Sequence, residues 1–166
     1  MAEAFGFVGL AQYVDTFLNY ARTELDPAFD QGTLDSSAGE NTTRLTVLLI
    51  VEDPERARAF YEQVLGVEVV RARDPLTLRF HNSWIIAKVG GEPTADKPGV
   101  STAPPMNPGR ATYALNIRVS DARAVYEEWR SRGAHFLTPP VDHGSELRCY
   151  LRDPDGHLIE VGQTVG

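Results

Sequence analysis

Hydrophobic and polar positions alternate with period two on both sides of Asp153-Pro154-Asp155-Gly156. Before the turn Leu147, Cys149 and Leu151 alternate with Arg148, Tyr150 and Arg152; after it Ile159 and Val161 alternate with Leu158, Glu160 and Gly162. The pattern predicts a β-hairpin with one apolar face for helices to cover and one face carrying Arg148, Tyr150 and Glu160. The turn is chemically specified: proline presets φ, aspartate accepts hydrogen bonds from the backbone ahead of it, and glycine supplies the left-handed residue. A carboxylate in mid-strand beside an arginine and a phenol is costly unless it meets water, a partner or a ligand. This face is therefore expected to border a cavity.

Helical spacing appears in three places. Over residues 5–25 the apolar Val8, Leu10, Ala11, Val14, Phe17, Leu18 and Ala21 predict an amphipathic helix, which either docks on its own domain or packs across a dimer. A polar stretch over 30–43 reads as a linker. The apolar run over 45–51 has strand length, and Asp53 as N-cap with Pro54 behind it starts a helix that turns Ala57, Phe60, Tyr61, Val64 and Leu65 inward until Gly66. Strands over 67–71, 76–80 and 84–89, with a turn at His81-Asn82-Ser83, complete a βαβββ order.

The second half repeats the first. A strand over 114–119 precedes Ser120-Asp121, which caps a helix through Tyr126 and Trp129 that ends at Gly133. A strand over 134–137, a loop over 138–146 and the hairpin follow. The two helix-ending glycines fall at nearly the same distance from the two capping aspartates, which points to an internal duplication. The connection over 90–110 holds five prolines and reads as an extended link. The predicted organisation is an N-terminal extension over 1–43 and a domain over 44–166, with modules at 44–91 and 111–164.

Composition narrows the function. A chain of 166 residues, 42% hydrophobic and 23% charged, fits one domain or two small lobes of ordinary globular type. A net charge of −7 argues against nucleic acid or an anionic membrane as partner. The single cysteine, Cys149, excludes an intrachain disulfide and a cysteine-based zinc site, suits a reducing cytoplasm, and has the apolar neighbours of a core thiol. The opening Met-Ala-Glu-Ala lacks the basic start of a signal peptide, and no apolar run approaches the ~18 residues of a membrane span, so a cytoplasmic location is expected.

The segments VEDPERARAFYEQVLG, NIRVSDARAVYEEWRSRGAHFLTPP and RDPDGHLIEV resemble the glyoxalase / bleomycin-resistance / dioxygenase superfamily, also called the vicinal oxygen chelate fold, from about Leu45 to Gly162. The resemblance implies an α+β fold: two βαβββ modules forming a curled mixed sheet around an open cup, helices outside, a small molecule inside, often as a homodimer. Metal-using members place ligands on the first and last strand of each module. The matching positions here are Thr46, either Ile86 or Ala87, Ala114 and Glu160, so no metal cofactor is expected.

Strand alternation puts Ala114, Asn116 and Arg118 on the cup side of one strand and Thr46, Leu48 and Ile50 on the cup side of another. Arg148 offers a fork for a carboxylate or enolate, Tyr150 a phenol that stacks and donates, Trp84 an aromatic wall or a core residue. Glu160 serves either a ligand or an ion pair with Arg148 or Arg118. Of the histidines, His81 and His135 read as surface residues and His157 alternates away from Glu160. His143 lies in a loop able to close over the cup, although an ordinary exposed histidine fits the same residues. Two functions follow: a metal-independent protein that holds a metabolite or antibiotic, or an enzyme of lyase, isomerase or dioxygenase type. The enzyme would act on a vicinal-oxygen or enolisable substrate with Glu160 or His143 as acid/base.

Overall fold

Both helices start at the capping aspartates named by the sequence. The structure is a computed structural model that describes residues 45–107 and 109–165. The expected helix over 5–25 and linker over 30–43 lie outside the described residues. Strand β1 (Val47–Val51) leads to Asp53, whose carboxylate accepts from the Glu55 N–H at 2.9 Å, and Pro54 opens helix α1 (Pro54–Ala59). The sequence predicts an unbroken helix to Leu65, but the chain widens into a π-helical turn over Phe60–Val64. That turn buries Tyr61 and sets its ring edge-on to Phe60, 5.3 Å between centroids. Gly66, at φ +73°, stops it, and β2 (Glu68–Arg71), β3 (Leu76–Phe80) and β4 (Ser83–Val89) follow.

The second module opens with β5 (Leu115–Arg118). Asp121 then accepts from the N–H groups of Arg123 and Ala124 at 3.0 and 2.9 Å and starts α2 (Ala122–Ser131). Strands β6 (Val141–Asp142), β7 (Glu146–Arg152) and β8 (Leu158–Thr164) complete it. One expectation is corrected here. In place of a strand over 134–137 there is a single bridge from Phe136 to Leu151, and pairing with β7 resumes at β6, inside the segment expected to be loop. Pro139-Pro140 lie between, and two residues without N–H groups interrupt a ladder that the flanking residues keep.

The strands form two four-stranded mixed sheets, ordered β1-β4-β3-β2 and β5-β8-β7-β6, rather than one continuous sheet. In each the first strand runs parallel to the last and the remaining pairs are antiparallel, so the modules share one topology. One apolar cluster joins them: Leu49, Val51, Ile85 and Ala87 from the first sheet, Cys149, Leu151, Ile159 and Val161 from the second, with Tyr61 and Trp129 from the helical side. These strands alternate as the sequence predicts, so Asn116, Arg148, Tyr150 and Glu160 lie on the face away from the core.

Two compact units divide the chain. One is Thr46–Gly91 with Thr102–Gly166, and the other includes Glu92–Ser101. The excursion is closed on itself, with the Lys97 ammonium donating to the carbonyls of Glu92 and Val100. Gly91 and Thr102 exchange two backbone hydrogen bonds of 2.9 Å where the larger unit resumes. From there the described residues of 102–107 and 109–113 return as a strap to β5.

Candidate functional site

Register, not proximity in sequence, assembles the polar cluster of the second sheet. Asn116 on β5 pairs with Glu160 on β8, which pairs with Tyr150 on β7, so three side chains of one row meet on the open face. Both Glu160 oxygens are used: Asn116 Nδ2 donates to one and the Tyr150 hydroxyl to the other. Ionising Tyr150 would put a second charge beside Glu160 and forfeit that bond, and the phenol is held above its ordinary range chiefly for this reason.

The next row is ionic. Arg118 and Arg148 both oppose Gly162, whose missing side chain leaves the space they use. A methyl group at Gly162 would overlap the Arg118 guanidinium and lie 2.9 Å from Glu146 Oε1. Arg118 donates to Glu146 and, at 2.8 Å, to Thr164 Oγ1; Arg148 lies 3.6 Å from the other Glu146 oxygen and its guanidinium sits over the Tyr150 ring at 5.8 Å. The hydrogen bond from Arg118, with the charges of both arginines, holds the Glu146 carboxyl below the usual carboxylate range. His143 Nε2 lies 3.4 Å from Arg148 Nη2, at the tip of the β6–β7 turn. Arg148 Nε is buried and has no hydrogen-bond partner among the described residues.

The structure thus gathers six of the residues singled out by sequence, Asn116, Arg118, His143, Arg148, Tyr150 and Glu160, into one cluster. Thr46 and Trp84 lie on the other module. Thr46 is half-buried just before β1, and Trp84 is buried on β4, on the opposite face from the core residues Ile85 and Ala87. His81 and His135 are exposed. Cys149 is fully buried and its thiol is pushed up to about 11 by that burial, which makes it a core residue.

The acidic turn does more than reverse the chain. Asp153 Oδ1 accepts from the N–H groups of Asp155 and His157 at 3.0 and 2.8 Å, while Oδ2 accepts from the buried Tyr61 hydroxyl at 2.8 Å. Burial pushes the Asp153 carboxyl up, against the pull of His157 and of these hydrogen bonds. Asp155 Oδ1 accepts from Glu52 N–H at 2.8 Å and from Arg56 at 2.9 Å. The turn is therefore locked to the end of β1 and the start of α1.

Beside it lies a cavity of about 420 Å³, walled by Leu48 and Ile50 of β1, by the turn and by the strap. Four of its residues escaped the sequence reading as site residues: Arg110 and Tyr113 on the strap, Arg152 and His157 on the hairpin. His157 does alternate away from Glu160, as expected, yet its ring reaches Tyr113 and the backbone of Ile50. The one signal for the strap was an aromatic residue after a proline-rich run, which periodicity does not interpret.

Leu48 pairs with Ile86 as Asn116 pairs with Glu160, so Ile86 is the counterpart of Glu160 and Ala87 belongs to the core. Thr46, Ile86, Ala114 and Glu160 amount to one good metal donor, and both of its oxygens are engaged. Such ions usually take at least three protein ligands, so these residues do not fit a resident metal.

Lactoylglutathione lyase of Salmonella typhimurium is 27% identical over 124 residues, covering 70% of this chain and 89% of the relative. Among solved structures, a glyoxalase/bleomycin resistance protein/dioxygenase from Nocardioides superposes with a TM-score of 0.60 at 19% identity, over 82% of this chain and 89% of that one. TnmS3, an antibiotic binding protein from Streptomyces sp. CB03234, does so at 0.58 and 16%, over 76% and 98%. Residues 44–161 match the family description itself, and the chain belongs to the Glyoxalase/Bleomycin resistance protein/Dioxygenase superfamily.

Proposed function

We propose that this protein holds a small molecule, a metabolite or antibiotic, in its cup without a metal ion, and that it does so as a homodimer in the cytoplasm. The observation that carries the reading is the state of Arg148. Arg118 is paired with Glu146 and Tyr150 with Glu160, while the Nε of Arg148 is buried without a partner among the described residues. A buried donor left open costs about 1–3 kcal/mol, and an oxygen of a bound ligand removes that cost. The donor chemistry at Thr46, Ile86, Ala114 and Glu160 supports metal independence, and the likeness to an antibiotic binding protein supports the ligand class.

Mass spectrometry of small molecules released from purified protein, with elemental analysis of the same sample, tests both parts. The expected result is a stoichiometric organic ligand and no stoichiometric metal; one divalent ion per chain overturns metal independence. Arg148→Ala is expected to weaken binding of that ligand roughly tenfold, as loss of a charge-assisted hydrogen bond does, with the fold intact. Unchanged affinity removes Arg148 from the site.

A second reading, catalysis on a vicinal-oxygen or enolisable substrate, draws on the likeness to lactoylglutathione lyase and on the contact between His143 and Arg148. In it Glu160 or His143 moves the proton and Arg148 stabilises the developing anion. Turnover of lactoylglutathione that disappears in both Glu160→Gln and His143→Ala would favour it over sequestration.

A further inference from the structure

Tyr113 and His157 form a hydrogen-bonded pair in the cavity wall, and the direction of that bond follows from a third atom. His157 is only 3% exposed, and its Nε2 lies 2.9 Å from the carbonyl oxygen of Ile50. A carbonyl oxygen accepts and never donates, so Nε2 carries the proton. In the neutral ring Nδ1 is then a lone pair, and it lies 2.5 Å from Tyr113 Oη. With the ring neutral, the phenol donates inward to it. Tyr113 is 50% exposed and lines the cavity, so the oxygen it presents there has lone pairs to offer and no proton.

We propose that Tyr113 Oη accepts a hydrogen bond from a hydroxyl of the ligand, and that the ligand is a hydroxylated aromatic or enolic anion. This rests on the reading that the protein holds a small molecule, and names the chemistry of a ligand in the cavity beside the turn, which Arg148 does not line. The remaining walls fit that class. Leu48, Ile50, Pro105 and Leu158 give an apolar slot for a planar body, and Arg110, on the same strap as Tyr113, supplies a cation for the anionic end. His157 is a positioning residue: its Nδ1 accepts the phenol's hydrogen bond and so decides that Tyr113 accepts from the ligand. The polarity of the site then rejects a ligand whose hydroxyl is capped, because an ether oxygen facing the Tyr113 lone pairs makes no bond and desolvates both groups.

The probes are 6-hydroxy-2-naphthoate and 6-methoxy-2-naphthoate, titrated at neutral pH against the full chain by calorimetry and by methyl NMR of Leu48 and Ile50. The hydroxyl probe is expected to bind roughly three- to tenfold tighter than its methyl ether, the contribution of one uncharged hydrogen bond. Tyr113→Phe is expected to bring that ratio near one, by weakening the hydroxyl probe and relieving the ether. His157→Phe removes the acceptor for Tyr113, so it too should level the ratio; a purely structural histidine would weaken both probes alike. Equal binding of the two probes, or a preference that survives Tyr113→Phe, overturns the assignment to Tyr113 while the small-molecule reading stands. If neither probe shifts Leu48 or Ile50, the proposed ligand class falls, and the ligand released from purified protein decides the broader reading separately.

Discussion

Glu146 is the charge on which the ionic row of the open face depends, since Arg118 and Arg148 both turn toward it. Its carboxyl is held below the ordinary value of 4.5, first by the Arg118 hydrogen bond. A carboxyl lowered in the folded state adds stability above its unfolded value, and that stability is lost as pH falls through the folded one. Melting temperatures of wild type and Glu146→Gln are therefore expected to converge in acid and to separate above a pH of about 4.5. A gap of constant size across that range would show that the pair does not titrate with folding. Gly162 belongs to the same row, and there the sequence was mute. It took its place in the hairpin alternation as one more residue, whereas its role is the room it leaves for two guanidinium groups.

Among the elements, the turn over 153–157 does the joining. Four contacts run from it to the first module: Asp153 to Tyr61, Asp155 to Arg56 and to the Glu52 N–H, and His157 to the Ile50 carbonyl. Tyr61→Phe removes a buried donor and leaves Asp153 Oδ2 facing an apolar ring, which is expected to cost about 1–3 kcal/mol. Denaturant unfolding checks it: the midpoint should fall with the slope unchanged, and an unshifted midpoint sinks the claim. The turn and both β-strand patterns beside it were legible in Asp153-Pro154-Asp155-Gly156 and its flanks, as were both capping aspartates, because these are local signals. What the turn touches was not legible. Tyr61 and Asp153 are 92 positions apart, and Ile50 and His157 are 107 apart, so no window of periodicity contains both partners. The same limit hid the cavity, whose strap comes from a connection readable only as extended. At 134–142 the local signal was itself divided, since Pro139-Pro140 break one strand into a bridge and a two-residue remnant.

For the whole molecule, the open faces raise the question of what covers them. The polar row of the second sheet leaves Asn116 and Arg118 exposed, and Leu48, an apolar residue of the first sheet's open face, is 46% exposed. A cup made by one chain would bury such groups around its ligand. In the proposed homodimer, two open sheets of like topology, one mainly apolar and one polar, would meet those of a second copy about a two-fold axis, each patch against its counterpart. A dimer of this kind would need to bury on the order of 1,000 Å² or more. Sedimentation equilibrium at micromolar protein is accordingly expected to give the mass of two chains, and the apparent affinity for the bound small molecule should weaken as dilution separates them. Repeating both measurements on a chain lacking residues 1–43 assigns the contact. If mass and affinity are retained, the open faces meet directly; if the truncated chain becomes a monomer, the amphipathic segment over 5–25 provides the interface. A full-length chain that stays monomeric yet binds with undiminished affinity would show that one copy completes the cup alone.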